Sequence, residues 1–528
     1  MENSLNKKER GNIEYGLIIA SVLLLAAFLI FMVLNPETTL NAISGFFWGM
    51  ITVLGPFFEV FTFVTFIIAL YLGFGKYGKV RLGDCKPEYS TLSYTIMMLL
   101  ASLASAALYW SYTEWAYYYE APGLGMEAQS TRALESALGY QFFHWGMTNQ
   151  AMYTIMAVAI GYGVYIKKVP SFQTSAVCSA MMGEKVKGKS AVGKVIDFCV
   201  IFGILGGLSS SLGLAVPLAA GGIKQLTGIE ATPLLKVGII VVIALVYTFT
   251  SYLGTAKGMQ VISNGAAGLC VLFLLYILFT GPTTFILRNT VNSFGYMIQD
   301  LPRMSLFTDP ILDTKFPEYW TIYFQAFYLN YLAMMGIFVA KISKGRTIRQ
   351  VAMATIFGIS AGGWFLFGVN GSFSIKTHLD GSADVVGLVN SGVGDAAIYS
   401  ILEVLPLGAT LLPVLILLLI IGFVAPTMDS ASLALAETVT KSGTPKMAMR
   451  IFWCILLAVI PMSIILTGSS FDAIKQLAII ISVPFMVIVV GMEIGLFKWL
   501  KHDSRSGLHA KNIALQEKEY QEEFEKEQ

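Results

Sequence analysis

Six aromatic side chains lie within twelve residues of one apolar segment of the chain, WTIYFQAFYLNYLAMMG at 320–336. On an α-helix, positions four, seven, eight and eleven residues after a given one share its face. That spacing is followed by Trp320, Phe324, Phe327, Tyr328 and Tyr331, with Met335 one turn further along. A stripe of this kind is typical of core packing, and it is also what a helix lining a cation-binding cavity would present.

Two further clusters of rings bear on this choice, LYWSYTEWAYYYE at 108–120 and FHWGMTNQAMY at 143–153. Trp and Tyr gather at membrane interfaces as anchors, which accounts for Tyr118 and Tyr119 but not for rings deep along 320–331. Ring faces that converge from several helices bind a trimethylammonium group, because the ring quadrupole attracts the charge and the methyl groups bury apolar surface. A primary ammonium would leave its hydrogen-bond donors unsatisfied against carbon. The clusters therefore favour a site for a methylated ammonium group.

The segments that carry these rings are apolar enough to cross a bilayer. Hydrophobic residues make up 55% of the chain and charged residues 13%, and the mean hydropathy is +0.68. A spanning helix needs about 20 mostly apolar residues. Stretches of this kind lie at 15–34, 52–74, 91–116, 142–166, 196–219, 236–255, 264–287, 318–341, 351–370, 407–435, 449–468 and 475–500. We therefore predict an all-α polytopic membrane protein with twelve transmembrane helices.

Lysine and arginine set the expected orientation, because loops rich in them remain in the cytoplasm. Basic clusters precede the first stretch and follow the second, fourth, eighth and tenth, whereas the loops between them carry Glu120, Glu127, Asp309 and Asp313. Both termini are therefore predicted to be cytoplasmic, in a protein of the cell membrane. No small-residue cleavage site follows the first stretch, so that helix is predicted to be retained.

Three parts of the chain are predicted. They are a cytoplasmic segment at 1–14, a twelve-helix membrane domain at 15–500, and a charged cytoplasmic tail at 501–528. The tail is predicted to be solvated or disordered, with a short charged helix over KNIALQEKEYQEEFEKEQ as the alternative. The amphipathic segment at 290–309 is expected to lie along the outer interface and to end at Pro302.

No motif in the sequence indicates an intramembrane enzyme or a channel. There is no HExxH, no GxSxG and no pair of carboxylates at helical spacing, and there is no polar stripe or repeated filter sequence. The five cysteines are scattered, without the spacing of metal ligands. We therefore predict no catalytic residue, metal, cofactor or nucleic-acid partner, and we favour a carrier for a small solute in the lipid bilayer.

Three ionisable side chains in the predicted stretches are singled out. Glu114 and Asp429 are candidates for coupling, since a charge inside a bilayer is costly. Alternatively, Glu114 reaches the outer headgroups and Asp429 caps a helix broken at Pro426. His144, beside Trp145, favours a packing or capping role over a proton relay.

The chain resembles the betaine/choline/carnitine transporter family along nearly its whole length. MGIFVAKISKGRTIRQ at 335–350 matches the loop after the eighth helix of that family, and FHWG, SLGLA, LPRM and DSASL follow the order of its motifs. The segment EWAYYYEAPGLGMEA at 114–128 is most similar to the carnitine/γ-butyrobetaine exchangers. The resemblance implies a LeuT-like fold, in which two inverted five-helix repeats, stretches three to seven and eight to twelve, enclose a midplane site that works by alternating access. It also implies a homotrimer.

The resemblance further implies an aromatic box around the substrate. Carried over residue by residue, the box falls on Tyr117, Trp145, Phe327, Tyr328 and Tyr331, with Tyr153 and Gln150 beside it. Phe327 and Tyr328 stand where the family usually has tryptophan, and so do Gln150 and Gln325. The box is therefore predicted to be weaker and wetter, suited to a solute that is smaller, less methylated or more hydrogen-bonding than carnitine.

The positions that hold sodium in coupled members of the family are altered. The departures are Ile204 and Leu208 in place of two threonines, Met335 at the first site, Pro426 and Thr427 in place of a Thr-Ser pair, and Gln260 where sodium-free exchangers carry arginine. A hard cation prefers oxygen to a thioether. We therefore predict sodium-independent exchange of a betaine-, carnitine- or choline-type solute. Sodium- or proton-coupled uptake of glycine betaine or another amino-acid-like zwitterion is the open alternative.

Overall fold

The computed structural model describes residues 12–103, 105–183, 191–253, 256–442, 444–467 and 471–527. Most of these residues are helical, because a backbone inside a bilayer satisfies its polar groups within its own helix. The first half contains α1 (Tyr15–Leu34), α2 (Pro36–Phe74), α3 (Thr91–Leu100), α4 (Ser105–Glu120), α5 (Thr131–His144), α6 (Met147–Tyr165), α7 (Thr174–Met181), α8 (Ala191–Thr227), α9 (Pro233–Leu253) and α10 (Ala256–Thr280).

The second half of the chain is also helical, with two short π-helical turns. It contains α11 (Thr283–Ser305), π1 (Pro317–Thr321), α12 (Ile322–Ile342), α13 (Ile348–Met353), π2 (Ala354–Ile359), α14 (Ser360–Leu379), α15 (Val385–Asn390), α16 (Gly394–Glu403), α17 (Leu411–Thr438), α18 (Met447–Thr467), α19 (Phe471–Arg505) and α20 (Leu508–Glu527). A short strand β1 (Asn12–Ile13) pairs antiparallel with β2 (Thr440–Ser442).

Among the described residues, nine helices are long and apolar enough to cross a bilayer, or ten when the bent pair α3 and α4 counts as one span. These ten coincide with ten of the twelve predicted stretches, and α6 and α9 occupy the other two. Large apolar side chains point outward, as at Leu23, Val53 and Leu245, which are 64%, 66% and 65% exposed. The chain is therefore a multi-pass membrane protein. The count of twelve spans and the inverted repeat remain predictions.

Two of the predicted stretches are broken rather than continuous. The third consists of α3 and α4, which meet at an angle of 57°. The fourth, predicted as one helix over 142–166, is the end of α5 followed by α6, with Trp145 and Gly146 between them. A Cβ at Gly146 would lie 2.2 Å from the carbonyl oxygen of Phe142, so this turn requires glycine. Hydropathy reveals neither break, because the residues on both sides are apolar.

Two prolines lie inside continuous helices, although the sequence predicts that one ends a helix and that the other breaks one. Helix α11 passes Pro302 and ends at Ser305, and α17 passes Pro426 without interruption. A proline in a helix removes one backbone hydrogen bond, and neighbouring helices compensate for that loss in membrane proteins. Both predictions are therefore wrong.

Both ends of the described chain lie on one face of the molecule, which we name the basic face. The loop after α2 reaches this face through the backbone bond from Leu82 N to Arg346 O, 2.8 Å. Lys167, after α6, pairs with Asp503 at the end of α19, 2.6 Å. Beside them, Nε2 of Gln173 donates to the carbonyl oxygen of Thr438, just before β2. The basic loops that follow the second, fourth, eighth and tenth predicted stretches therefore meet on one side.

The C-terminal tail is packed, although the sequence predicts a solvated tail. In α20, Asn512 accepts a hydrogen bond from the backbone N–H of Arg81 at 2.9 Å, and Glu519 pairs with the Arg81 guanidinium at 2.6 Å. His509 lies 3.0 Å from the hydroxyl of Tyr162. Successive members of this group are three and seven residues apart, so they share one face of the helix. The high charge of the tail suggests solvation, whereas its helical spacing permits docking.

Candidate substrate site

A cavity of about 440 Å³ lies between the α3–α4 break, α6, α10, α12 and α17. Predicted site residues that line it are Trp145, Gln150, Tyr153, Phe327, Tyr328, Tyr331, Met335, Thr427 and Asp429. The cavity extends to Tyr89 and Ile342, and Arg346 of the basic face donates to the carbonyl oxygen of Tyr89 at 2.6 Å. It therefore leads from the rings toward the basic face.

Five rings surround the inner end of this cavity, and we name them the inner rings. They are Trp145, Tyr153, Phe327, Tyr328 and Tyr331. The ring centroids of Phe327 and Tyr331 are 4.7 Å apart, and those of Tyr153 and Tyr328 are 5.5 Å apart. The centroid of Trp145 lies 6.4 Å from those of Phe327 and Tyr328. Rings at these separations can contact one small cation together.

Close packing of α6 and α12 holds the inner rings in register. A Cβ at Gly336 of α12 would lie 2.1 Å from Cγ of Met156 on α6, so the two helices approach one another as closely as a glycine permits. Trp145 reaches the cavity because it lies in the break between α5 and α6. From this break its ring contacts the rings of α12.

A polar side chain, Gln150, is bonded to the inner rings: its Nε2 donates to the hydroxyl of Tyr328 at 3.0 Å. Within the described part of the chain, Oε1 of Gln150 is buried without a hydrogen-bond partner. An amide can turn over and exchange its oxygen and nitrogen, and a tyrosine hydroxyl both donates and accepts. Gln150 can therefore offer either a donor or an acceptor to the cavity while it keeps its bond to Tyr328.

Three predicted rings lie outside the cavity, and we name them the outer rings: Tyr117, Trp320 and Phe324. The centroids of Tyr117 and Trp320 are 5.1 Å apart. Phe324 stacks on the imidazole of His144 with 5.0 Å between centroids. The structure thus splits the aromatic stripe of π1 and α12 into a packed outer part and an inner part that lines the cavity. Tyr117 is not brought to the cavity.

Glu114 lies behind Trp145, out of the cavity and fully buried. Its Oε2 accepts a hydrogen bond from Trp145 Nε1 at 2.8 Å, and its Oε1 accepts one from the Tyr118 hydroxyl at 2.5 Å. The alternative that Glu114 reaches the outer headgroups is therefore wrong. Tyr118 is also fully buried, so the prediction of an interfacial anchor there is wrong too.

The predicted ion-site positions present few oxygens. Ile204 and Leu208 are buried in α8, and the Thr427 hydroxyl donates to the carbonyl oxygen of Phe423 within its own helix at 2.8 Å. Asp429 pairs with Arg450 at 2.5 Å and so does not cap a broken helix. Gln260 belongs to α10, but its side chain lies outside the described residues.

Sequence reasoning missed a group of small polar residues in the cavity wall. They are Ser102, Ser105, Ser211, Ser263 and Asn264. The signal that could have found Asn264 is an amide within an apolar stretch, where a polar group needs a partner. The serines of the α3–α4 break give no such signal, because serine is common wherever helices approach closely.

The chain is similar to known membrane transporters. The family model described as BCCT, betaine/carnitine/choline family transporter, matches residues 16–505. A carnitine transporter of Acinetobacter baumannii is 36% identical over 448 residues, which cover 84% of this chain and 81% of that protein. The uncharacterized transporter YeaV of Escherichia coli is 34% identical over 440 residues, 83% of this chain and 91% of that protein.

Among solved structures, the substrate-bound outward-open state of a Na⁺-coupled sialic acid symporter is similar with a TM-score of 0.47 at 13% identity. It covers 84% of this chain and 86% of that one.

Proposed function

The chain belongs to the betaine/carnitine/choline transporter family, and we propose that its substrate is a small methylated-ammonium solute bound among the inner rings. It is a secondary transporter of the membrane and not an enzyme. The observation that supports the proposed substrate is the convergence of five rings from α6, α12 and the α5–α6 break on one cavity. Each ring face in contact with a desolvated cation contributes roughly 0.5–2 kcal/mol.

The polar groups of the wall favour a zwitterion of betaine type. An amide hydrogen of Gln150, and the hydroxyls and amide of Ser211, Ser263 and Asn264, can donate to a carboxylate. The cavity of about 440 Å³ is large for a solute of this size, so water completes the remaining hydrogen bonds. Carnitine fits the same chemistry with an additional hydroxyl, and choline lacks the carboxylate.

Transport is proposed to proceed as exchange, without sodium. The basis is the chemistry of the altered positions: carbon side chains at Ile204 and Leu208, sulfur at Met335, and a hydroxyl at Thr427 that is bonded within its own helix. A sodium ion bound by so few oxygens would not recover its hydration energy.

Counterflow in liposomes tests both parts of the proposal. Purified protein is reconstituted into liposomes preloaded with unlabelled solute, and entry of labelled glycine betaine, carnitine, choline or an unmethylated amino acid is followed with sodium or potassium on both sides. We expect counterflow of the methylated solutes in either salt. Entry of unmethylated amino acids alone would contradict the substrate class, and loss of counterflow in potassium would favour sodium-coupled uptake.

The basic face is proposed to be cytoplasmic, as its lysine and arginine content predicts. Single cysteines in place of Lys344 and Asp313, in a background where Cys85 is serine, test this with an impermeant thiol reagent on intact cells. We expect labelling at 313 and none at 344. The reverse pattern would show that the basic face lies outside the cell. The homotrimer is likewise a proposal, for which native mass spectrometry should give three copies.

A further inference from the structure

Four buried side chains connect the outer rings to Trp145 through hydrogen bonds. Oγ1 of Thr321 lies 3.1 Å from Nε2 of His144, and Nδ1 of His144 lies 2.7 Å from the hydroxyl of Tyr118. That hydroxyl lies 2.5 Å from Oε1 of Glu114, whose other oxygen accepts from Trp145. None of the four is more than 2% exposed. We name Thr321, His144, Tyr118 and Glu114 the relay.

With Glu114 ionised, the hydrogens of the relay can be placed in one way. Both Glu114 oxygens accept, so Tyr118 donates its only hydrogen to Glu114. The bond between His144 and Tyr118 then requires a hydrogen on Nδ1 of the imidazole. Nε2 of the neutral ring is left as an acceptor for the hydroxyl of Thr321. Every hydrogen points toward Glu114.

With Glu114 protonated, every bond of the relay reverses. Trp145 can only donate, so the acid hydrogen lies on Oε1 and points to Tyr118. Tyr118 then donates to Nδ1 of His144, and Nε2–H of His144 donates to Thr321. Both arrangements satisfy the same short contacts without movement of a heavy atom.

We propose that the relay carries a proton from the outer end of the protein to Glu114, and that the protonation state of Glu114 controls cation binding by the inner rings. Thr321 passes its hydroxyl hydrogen to Nε2 of His144 and takes a replacement proton from a hydronium ion of the solvent, which becomes water. The Nδ1 hydrogen moves to Tyr118, and the Tyr118 hydrogen moves to Glu114. Glu114 gains one proton, His144 stays neutral with its other nitrogen protonated, and no other bond changes.

The buried outer end of the relay lies beside exposed residues. Thr321 is the last residue of π1, where Tyr319 is 57% exposed and Glu318 is half-buried. A π-helical turn inside a helix is frequent at functional sites. Here it begins the helix that carries the inner rings, so the relay and the cavity share one element.

The titratable groups around the relay are mostly tyrosines. Tyr140 of α5 packs on His144 with 5.6 Å between ring centroids. Tyr328 and Tyr323 of α12 lie within electrostatic range of Glu114 and Tyr118 respectively. Other titratable groups near Tyr140 on neighbouring helices are Glu59 of α2 and Asp300 and Arg303 of α11.

The proposed coupling to substrate rests on the proposed function. An ionised Glu114 behind Trp145 attracts a cation held against that ring, and a protonated Glu114 does not. Proton and substrate therefore oppose one another, and by linkage each lowers the affinity of the protein for the other by the same factor. Substrate binding should release a proton, and acid should weaken substrate binding.

Infrared difference spectroscopy tests the relay without any substrate. In wild-type protein, the band of a protonated carboxyl group should appear as the pH falls and be absent in E114Q. Tyr118→Phe removes one oxygen and interrupts the relay, so protonation of Glu114 after a pH jump should slow at least tenfold. Tyr140→Phe is the matched control, because that hydroxyl lies outside the relay, and it should behave as wild type.

Two results would overturn the relay. One is a carboxyl band of Glu114 that does not change with pH, and the other is a rate of Glu114 protonation in Y118F equal to that of wild type. If Y118F fails to fold, Thr321→Val breaks the outer end of the relay and is held to the same criterion. Thermal unfolding of each variant supplies the check on folding.

Binding of glycine betaine at a series of pH values, followed by Trp fluorescence, tests the coupling. Its ammonium carries no proton, so its charge does not change near neutral pH. Wild-type affinity should fall about fivefold or more on acidification, within the usual range of coupling between sites, and E114Q should show no pH dependence. The same slope in E114Q would overturn the coupling. Absence of binding at every pH, with normal titration of Glu114, would contradict the proposed substrate and leave the relay intact.

Discussion

The outer and inner rings of α12 have the same spacing in sequence but different surroundings. Phe324 is 1% exposed and Tyr328 is 3% exposed, so burial does not distinguish them. Phe324 packs on His144 and Trp145, whereas Tyr328 faces a cavity. The neighbouring helices cause the difference, because the breaks between α3 and α4 and between α5 and α6 leave space opposite the inner rings. Ring spacing predicts the face that a helix presents, and a broken neighbour decides whether that face lines a cavity.

The largest effect is expected at the glycine that packs against the α3–α4 break. A Cβ at Gly362 of α14 would lie 2.0 Å from the carbonyl oxygen of Leu99 and 2.5 Å from Oγ of Ser102. Gly362→Ala should therefore displace the break, destabilise the protein by about 1–3 kcal/mol and abolish counterflow. The melting temperature and liposome counterflow measure the two effects.

The adjacent glycine is the matched control. A Cβ at Gly363 would have its nearest neighbour at 3.6 Å, an ordinary contact. Gly363→Ala should retain counterflow and wild-type stability. Equal behaviour of the two variants would show that the geometry of the break does not create the cavity.

Removing one ring from each region separates binding from packing. Tyr328→Leu keeps most of the apolar area but removes a ring face from the cavity, so affinity for a trimethylated solute should fall roughly 2- to 30-fold. Phe324→Leu should lower the melting temperature and leave that affinity within about twofold, since its ring contacts protein alone. Affinity comes from titration in detergent. A larger loss of affinity in F324L than in Y328L would reverse the assignment of the two regions.

A smaller effect is expected at Gln150, which adds an amide to the wall of the cavity beside the inner rings. Gln150→Leu preserves volume and removes the amide, so affinity for glycine betaine should fall about 2- to 10-fold, the value of one hydrogen bond. Affinity for choline, which has no carboxylate, should change less. Equal losses for both solutes would place Gln150 in packing rather than in carboxylate recognition.

Apolar length predicted the positions of the spans, because the bilayer requires it of every crossing helix. The breaks at residues 101–103 and at Trp145 were not predictable, since they depend on close contacts of Gly362 and Gly146 with carbonyl oxygens rather than on hydropathy. At Pro426 the sequence predicts a break that the structure does not show, because a residue that breaks an isolated helix is accommodated inside a bundle.

The candidate site also has a part that the sequence predicts and a part that it does not. The sequence placed Phe327, Tyr328 and Tyr331 on one helix face, and the structure puts all three in the cavity wall. It gave no sign that Glu114, Tyr118 and His144 form one hydrogen-bonded chain, because that contact joins α4 to the end of α5 across sequence distance. Such pairings depend on tertiary packing and are not encoded in local spacing.

The most direct test of the central claim is the affinity of the protein for a series that differs only in methylation: glycine, sarcosine, dimethylglycine and glycine betaine. If the inner rings bind the ammonium head, affinity rises with each added methyl, the rise is flattened in Tyr328→Leu, and it is retained in Phe324→Leu. Equal affinity for glycine and glycine betaine, or a full methyl dependence in Tyr328→Leu, would contradict the account.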